Sequence, residues 1–214
     1  MSLIEILKEF HSRRPRYNKK PSKASYGRFK SLVSVMLSAQ SKDEKTAEAT
    51  QNLWSVATTP EQISELDAEQ MQLLIKPAGL YRNKQKNIQA MCKILIEKFH
   101  GKVPTTREDL MSLPGVGRKC TDIMMRFVYN EPAVPVDTHV HRLANRLGLC
   151  ETKTEAKTAE YLEKNIPLDY KWGAHMWFIT HGKYVCKARP PQCAKCFLKI
   201  YCKHYNDKIR IDNR

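Results

Sequence analysis

Leu113-Pro114-Gly115-Val116-Gly117-Arg118-Lys119 separates two segments of helical pattern, and its reading decides the fold. Pro114 fixes its own φ and disfavours a helical conformation at Leu113, so a short helix over 107–111 should end there. Gly115 and Gly117 permit a tight turn whose backbone lies close to whatever is outside it. The apolar pattern resumes at once with Ile123, Met124, Phe127 and Val128. This is a helix, a hairpin and a second helix. The second helix starts with unpaired N–H groups and a positive dipole end, a place suited to a phosphate. Lys119 falls in that first turn, where the dipole and burial would both disfavour its charged form. An amine without its proton is a nucleophile. The same string would also serve as an ordinary αα-hairpin with a solvated lysine.

Working outward, the rest of the chain is helical in pattern. Ser2 and Glu5 have capping-box spacing ahead of a helix over 2–12. Residues 13–25 form a basic connector. Phe29, Leu32, Val33, Met36 and Leu37 make the clearest helical stripe, ending near Gln40. Asp43 starts a helix through Trp54, Thr59-Pro60 opens a short one, and Asp67 caps another that Gly79 stops. The span 83–99 is helical, with Ile88, Met91, Cys92, Leu95 and Phe99 inward and Gly101 just past its end. Prolines make 131–136 extended. Asp137 then caps a helix closed by Gly148, and two more helices occupy 154–165 and 169–181. The expectation is an all-α chain of two helical domains, 22–131 and 1–21 plus 132–214. A cleft between them would bear Lys119 on one wall and Asp137 on the other.

The 214 residues suffice for a proper core. Lys and Arg total 37 against 22 Asp and Glu, giving a formal charge of +15. Such a balance suits a polyanion such as DNA or RNA. A basic membrane-surface protein is the rival, but no long apolar run or cleavage pattern is present, so no signal peptide or spanning helix is read.

Seven cysteines is an odd number, and four of them, Cys186, Cys193, Cys196 and Cys202, have the spacing C-x6-C-x2-C-x5-C. That argues against a secreted disulfide framework and for a metal or cluster site in a reducing compartment. Zinc is the generic alternative, but zinc sites usually pair two C-x2-C knuckles, and only Cys193/Cys196 makes one. A [4Fe–4S] cluster tolerates a single knuckle with wider flanking loops. Pinning this loop would turn lysines such as Lys195 and Lys199 into a fixed phosphate-binding surface. Cys92, Cys120 and Cys150 read as packing residues. Asp137, as an N-cap, accepts backbone N–H bonds that keep its charge in place. Its neighbour His139 reads as a structural hydrogen-bonder rather than a ligand or base.

On these residues the chain resembles the endonuclease III family of DNA glycosylases. The matching segments are 113–119 (L-P-G-V-G-R-K), 136–140 (V-D-T-H-V) with Arg142 and 145–148 (N-R-L-G), and the four-cysteine loop. Leu37-Ser38-Ala39-Gln40 and Gly79-Leu80-Tyr81 also look like family segments, and the order is kept along nearly the whole chain.

The resemblance implies a monomeric helix–hairpin–helix repair enzyme with a [4Fe–4S] cluster on the four cysteines, acting on oxidised or ring-saturated pyrimidines and abasic sites in duplex DNA. The damaged nucleotide is flipped out of the stack. Lys119 would attack the sugar C1′, Asp137 would assist it and stabilise the cationic sugar, and β-elimination would nick the strand. Gln40 resembles the residue that fills the gap left by the flipped base, and Leu80 the wedge in the opposite strand. Leu113, Gly115, Gly117, Arg118, His139, Lys195 and Lys199 complete the expected DNA contacts.

Two departures stand out. The family commonly has Thr-Ala-Asn after the lysine, where this chain has Cys120-Thr121-Asp122; a carboxylate one turn from Lys119 would favour the charged amine and slow attack. His141 replaces an aromatic or aliphatic residue. An adenine-mismatch glycosylase of the same superfamily lacks the lysine and carries a further C-terminal domain, whereas this chain ends 12 residues after Cys202. A non-catalytic helical DNA-binding module leaves the lysine–aspartate pair without a purpose, and a zinc-binding RNA-associated protein differs in its metal. The length and the missing targeting segment favour a prokaryotic cytoplasm or nucleoid.

Overall fold

In a computed structural model, residues 2–17 and 27–212 are described, and they are helical with no strand among them. The chain divides into two compact units, Ser22–Asn130 and Met1–Pro21 with Glu131–Arg214, each with its own apolar core. Most of the expected basic connector, from residue 18 onward, lies outside the described residues.

Among its described residues, the Ser22–Asn130 unit holds seven α-helices. α2 (Arg28–Ser38) buries Leu32, Val33, Met36 and Leu37, one stripe of a helix. It stops short of the expected end because Ala39 is extended and Gln40 turns left-handed, with φ 52°. α3 (Asp43–Trp54) begins on Asp43, with Lys42 as the flanking cap. α4 (Pro60–Glu65) is capped by the Thr59 side chain, which accepts from the Gln62 N–H, with Pro60 in the first turn. α5 (Ala68–Ile75) is capped by Asp67, which accepts from the N–H groups of Glu69 and Gln70. α6 (Tyr81–Phe99) starts two residues before its expected beginning, since Leu80 takes a left-handed conformation as its N-cap. α7 (Arg107–Met111) and α8 (Arg118–Phe127) flank the hairpin. Ile88, Met91 and Leu95 of α6 join Leu53, Leu110 and Met124 in the core.

In the other unit, the Ser2/Glu5 capping box is present and opens α1 (Leu3–Arg13). α9 (Thr138–Leu147), α10 (Glu155–Asn165) and α11 (Leu168–Tyr184) follow. α11 outruns its expected end and buries residues around much of its circumference, as a central helix does. Phe10 of α1 is wholly buried and packs its ring against Trp177, Phe178, His181 and Phe197. The Trp177 indole donates to the Arg14 carbonyl at 2.9 Å, tying the end of α1 to α11. A further helix, α12 (Lys203–Asp212), follows the cysteine segment and was not expected.

Candidate active site and cysteine loop

The hairpin is anchored from within. Leu113 and Val116 are buried in the core. Leu113 was expected among the DNA contacts, but its side chain is only 2 % exposed, so it shapes the turn and leaves outside contact to its backbone. Gly115 has φ +76°, and a Cβ there would lie 2.8 Å from the Asn87 Cβ, so no other residue fits without strain. Gly117 is different: it is extended, and a Cβ would meet nothing within 4 Å. Its place is at the N-cap of α8, where no side chain caps the first N–H groups.

Lys119 sits in this uncapped first turn and is exposed. Burial was expected and is not found. Side chains lean toward a helix's N-terminus, so one in the first turn has no preceding turn to cover it. The local departure Asp122 also behaves otherwise than expected. Its carboxylate is 1 % exposed and pairs with Arg107 of α7 and with Arg118, whose Nε lies 3.3 Å away. Its charge is answered by two guanidiniums and ties the two hairpin helices together.

Gln40 and Leu80 lie on exposed turns of the same unit. Both take positive φ, 52° and 48°, a conformation costing a non-glycine residue roughly 1–2 kcal/mol. Leu80 is 55 % exposed, an apolar side chain presented to the outside.

In the other unit, Asp137 caps α9. Its Oδ1 accepts from the N–H groups of His139 and Val140, both at 2.9 Å, which holds the carboxylate in one place. The half-buried His139 ring nitrogen Nδ1 faces Arg142 Nη2 at 3.2 Å. Arg142 also donates to the carbonyls of Gly182 (2.7 Å) and Cys186 (3.0 Å), and Arg146 to those of Lys187 (2.7 Å) and Ala188 (3.0 Å). The helix that Asp137 caps is therefore fastened to the start of the cysteine loop. These two arginine roles escaped the sequence reading; their spacing of four on one helix was the available signal. The departure His141 bonds Thr158 of α10 at 2.6 Å, which makes it a packing residue of this unit.

Cys186, Cys193, Cys196 and Cys202 line one pocket, together with Lys199. Among the described residues no three His, Cys, Asp or Glu side chains converge tightly enough to hold a single metal ion. Burial pushes the Cys196 thiol up to about 11 and raises that of Cys202. The buried His181 lies with Nε2 3.3 Å from the Cys196 sulfur, and burial pushes its imidazole down to about 4. Lys195 is exposed, whereas Lys199 is half-buried. Cys92 and Cys120 behave as packing residues, their thiols pushed up to about 12 by burial.

Residues 33–168, which include the hairpin, match the family model described as HhH-GPD superfamily base excision DNA repair protein. Among curated relatives, endonuclease III of Thermotoga maritima is 39 % identical over 98 % of this chain and 97 % of its own length. Endonuclease III of Escherichia coli K12 is 39 % identical over 86 % of each. The structure of a non-covalent endonuclease III–DNA complex aligns with TM-score 0.86 and 35 % identity, covering 97 % of both chains. That of a trapped endonuclease III–DNA covalent intermediate aligns with TM-score 0.85 and 36 % identity over 95 % of each. The chain belongs to the endonuclease III family, and it is a base-excision-repair enzyme, a DNA glycosylase with abasic-site lyase activity.

Because Asp122 serves Arg107 and Arg118, Asp122→Asn should lower stability without speeding the lysine chemistry. With both arginines about a quarter exposed, the loss should be about 1–3 kcal/mol in denaturant unfolding. A variant of native stability with faster single-turnover nicking would instead place the carboxylate's influence on Lys119.

Proposed function

We propose that this chain removes oxidised or ring-saturated pyrimidines from duplex DNA and cleaves at the resulting abasic site, with Lys119 as nucleophile. The observation that carries the reading is the exposed Lys119 amine in the uncapped first turn of α8. The amine attacks C1′; a C–N bond forms and the glycosidic bond breaks, its electron pair leaving with the base, which takes up a proton. The attached nitrogen gives up a proton, and the C1′–O4′ bond then opens, its electron pair going to O4′, which takes up a proton; the resulting protonated Schiff base acidifies the C2′ hydrogen. Loss of that proton expels the 3′ phosphate and nicks the strand.

Asp137 supplies a fixed negative charge that assists the amine and stabilises the developing sugar cation. The N–H groups at the start of α8, with the backbone of Leu113, Gly115 and Gly117 and the side chain of Arg118, receive a phosphate. Gln40 fills the space left by the flipped base and Leu80 wedges the opposite strand; their exposure on left-handed turns supports this. His139, Lys195 and Lys199 add contacts. The chain acts as a monomer in a prokaryotic cytoplasm or nucleoid; the bacterial relatives support the source, and no helix among the described residues is long and apolar enough to cross a membrane.

Cys186, Cys193, Cys196 and Cys202 fit a [4Fe–4S] cluster as its thiolate ligands. A zinc ion with Zn–S bonds of about 2.3 Å needs its four sulfurs drawn together. These four line one pocket, and only Cys193/Cys196 makes a C-x2-C knuckle, a spacing that suits a cubane. Bound there, the cluster would hold the loop in one shape.

Lys119→Gln should bind abasic-site duplex and fail to nick it, since hairpin backbone and basic surface remain. Asp137→Asn should slow base release in single turnover by about 10²–10³-fold while keeping the helix cap. Wild-type nicking in Lys119→Gln would sink the mechanism. Protein prepared anaerobically with ample iron should carry about four irons per chain with matching sulfide; stoichiometric zinc without sulfide would refute the cluster.

A further inference from the structure

Lys84, in the second turn of α6, is 7 % exposed, and among the described residues no carboxylate pairs with it. Its Nζ donates to the Leu37 carbonyl at 2.8 Å and to the Ala78 carbonyl at 2.9 Å. Leu37 lies in the last turn of α2, where carbonyls lack helical partners. It precedes Gln40 by three residues. Ala78 ends the 3₁₀ turn Lys76–Ala78 and precedes Leu80 by two. One cation therefore satisfies a carbonyl from the base of each left-handed turn.

A buried, uncompensated cation is costly, and burial lowers the affinity of this amine for its proton. A core packed only for stability would place an apolar side chain there. The arrangement makes sense when the two turns must keep a fixed separation while DNA pushes on their exposed tips. We infer that Lys84 is a positioning residue for lesion engagement: its buried ammonium ties together the two strained turns that present Gln40 and Leu80 to the duplex. The inference rests on the assignment of Gln40 and Leu80 as DNA-inserting residues.

The test compares binding to a duplex carrying a tetrahydrofuran abasic analogue with binding to the same duplex undamaged. 2-Aminopurine opposite the analogue reports unstacking. Lys84→Met fills the volume without donors. It should lower the abasic-to-undamaged affinity ratio about tenfold, the scale expected for two lost bonds from a charged donor, and should quench the rise in 2-aminopurine fluorescence. Affinity for undamaged duplex should stay as in wild type. A merely structural role would reduce the folded fraction and both affinities together, leaving the ratio intact. Lys84→Gln retains one donor and should give an intermediate ratio; if Lys84→Met does not fold, an unchanged ratio in Lys84→Gln overturns the inference. In the Gln40→Ala/Leu80→Ala background, Lys84→Met should add nothing further. If Gln40→Ala/Leu80→Ala keeps the wild-type ratio, the assignment of the two turns is wrong and the inference falls with it. If that variant loses the ratio while folded Lys84→Met keeps it, the inference alone is overturned.

Discussion

The carboxylate of Asp122, removed from water and answered by Arg107 and Arg118, fixes how α7 and α8 meet. A buried charge is stable only with its partners in place, so this contact permits one arrangement of the two helices rather than a family of them. Leu113 and Val116 pin the turn between them to the core, and Gly115 allows the backbone to pass Asn87 where a side chain would collide. What remains free is the outer rim of the hairpin: the N–H groups of an uncapped helix start and the Lys119 amine beside them. Under the proposed mechanism, an electrophilic sugar held by its phosphate at such a rim would meet an amine that needs no rearrangement of the core to reach it.

The second unit follows a similar logic with different chemistry. The carboxylate of Asp137 is spent on two backbone N–H groups, which fixes its position without neutralising it. The same helix carries Arg142 and Arg146, whose bonds to loop carbonyls set where the cysteine segment begins. The helix that Asp137 caps thus also holds the first cysteine's backbone through Arg142.

Much of this was legible in the sequence because caps and breakers are local. Ser2 with Glu5, Thr59-Pro60, Asp67 and Asp137 act within one turn, and each does in the structure what its type and spacing imply. Polar residues that depend on distant partners were not legible. Lys84 and Gln85 occupy inward positions of α6 that a hydrophobic pattern scores as surface, and the buried Lys84 amine donates to the carbonyls of Ala78 and of Leu37, the latter far away in sequence. Asp122 looked like a neighbour of Lys119 because they are one turn apart; Arg107 and Arg118 claim it instead. The left-handed turns at Gln40 and Leu80 were hidden because neither residue type favours that conformation. The position of Lys119 in the first turn of a helix suggests burial, and the missing turn before it leaves the side chain exposed.

Chemical capture of the attacking amine tests directly whether Lys119 is the nucleophile. Wild-type protein is incubated with abasic-site duplex, reduced with borohydride, digested with nuclease and protease, and the modified peptide sequenced by mass spectrometry. The deoxyribose remnant is expected on Lys119. A remnant on Lys84, on the N-terminal amine or on any other lysine would contradict it.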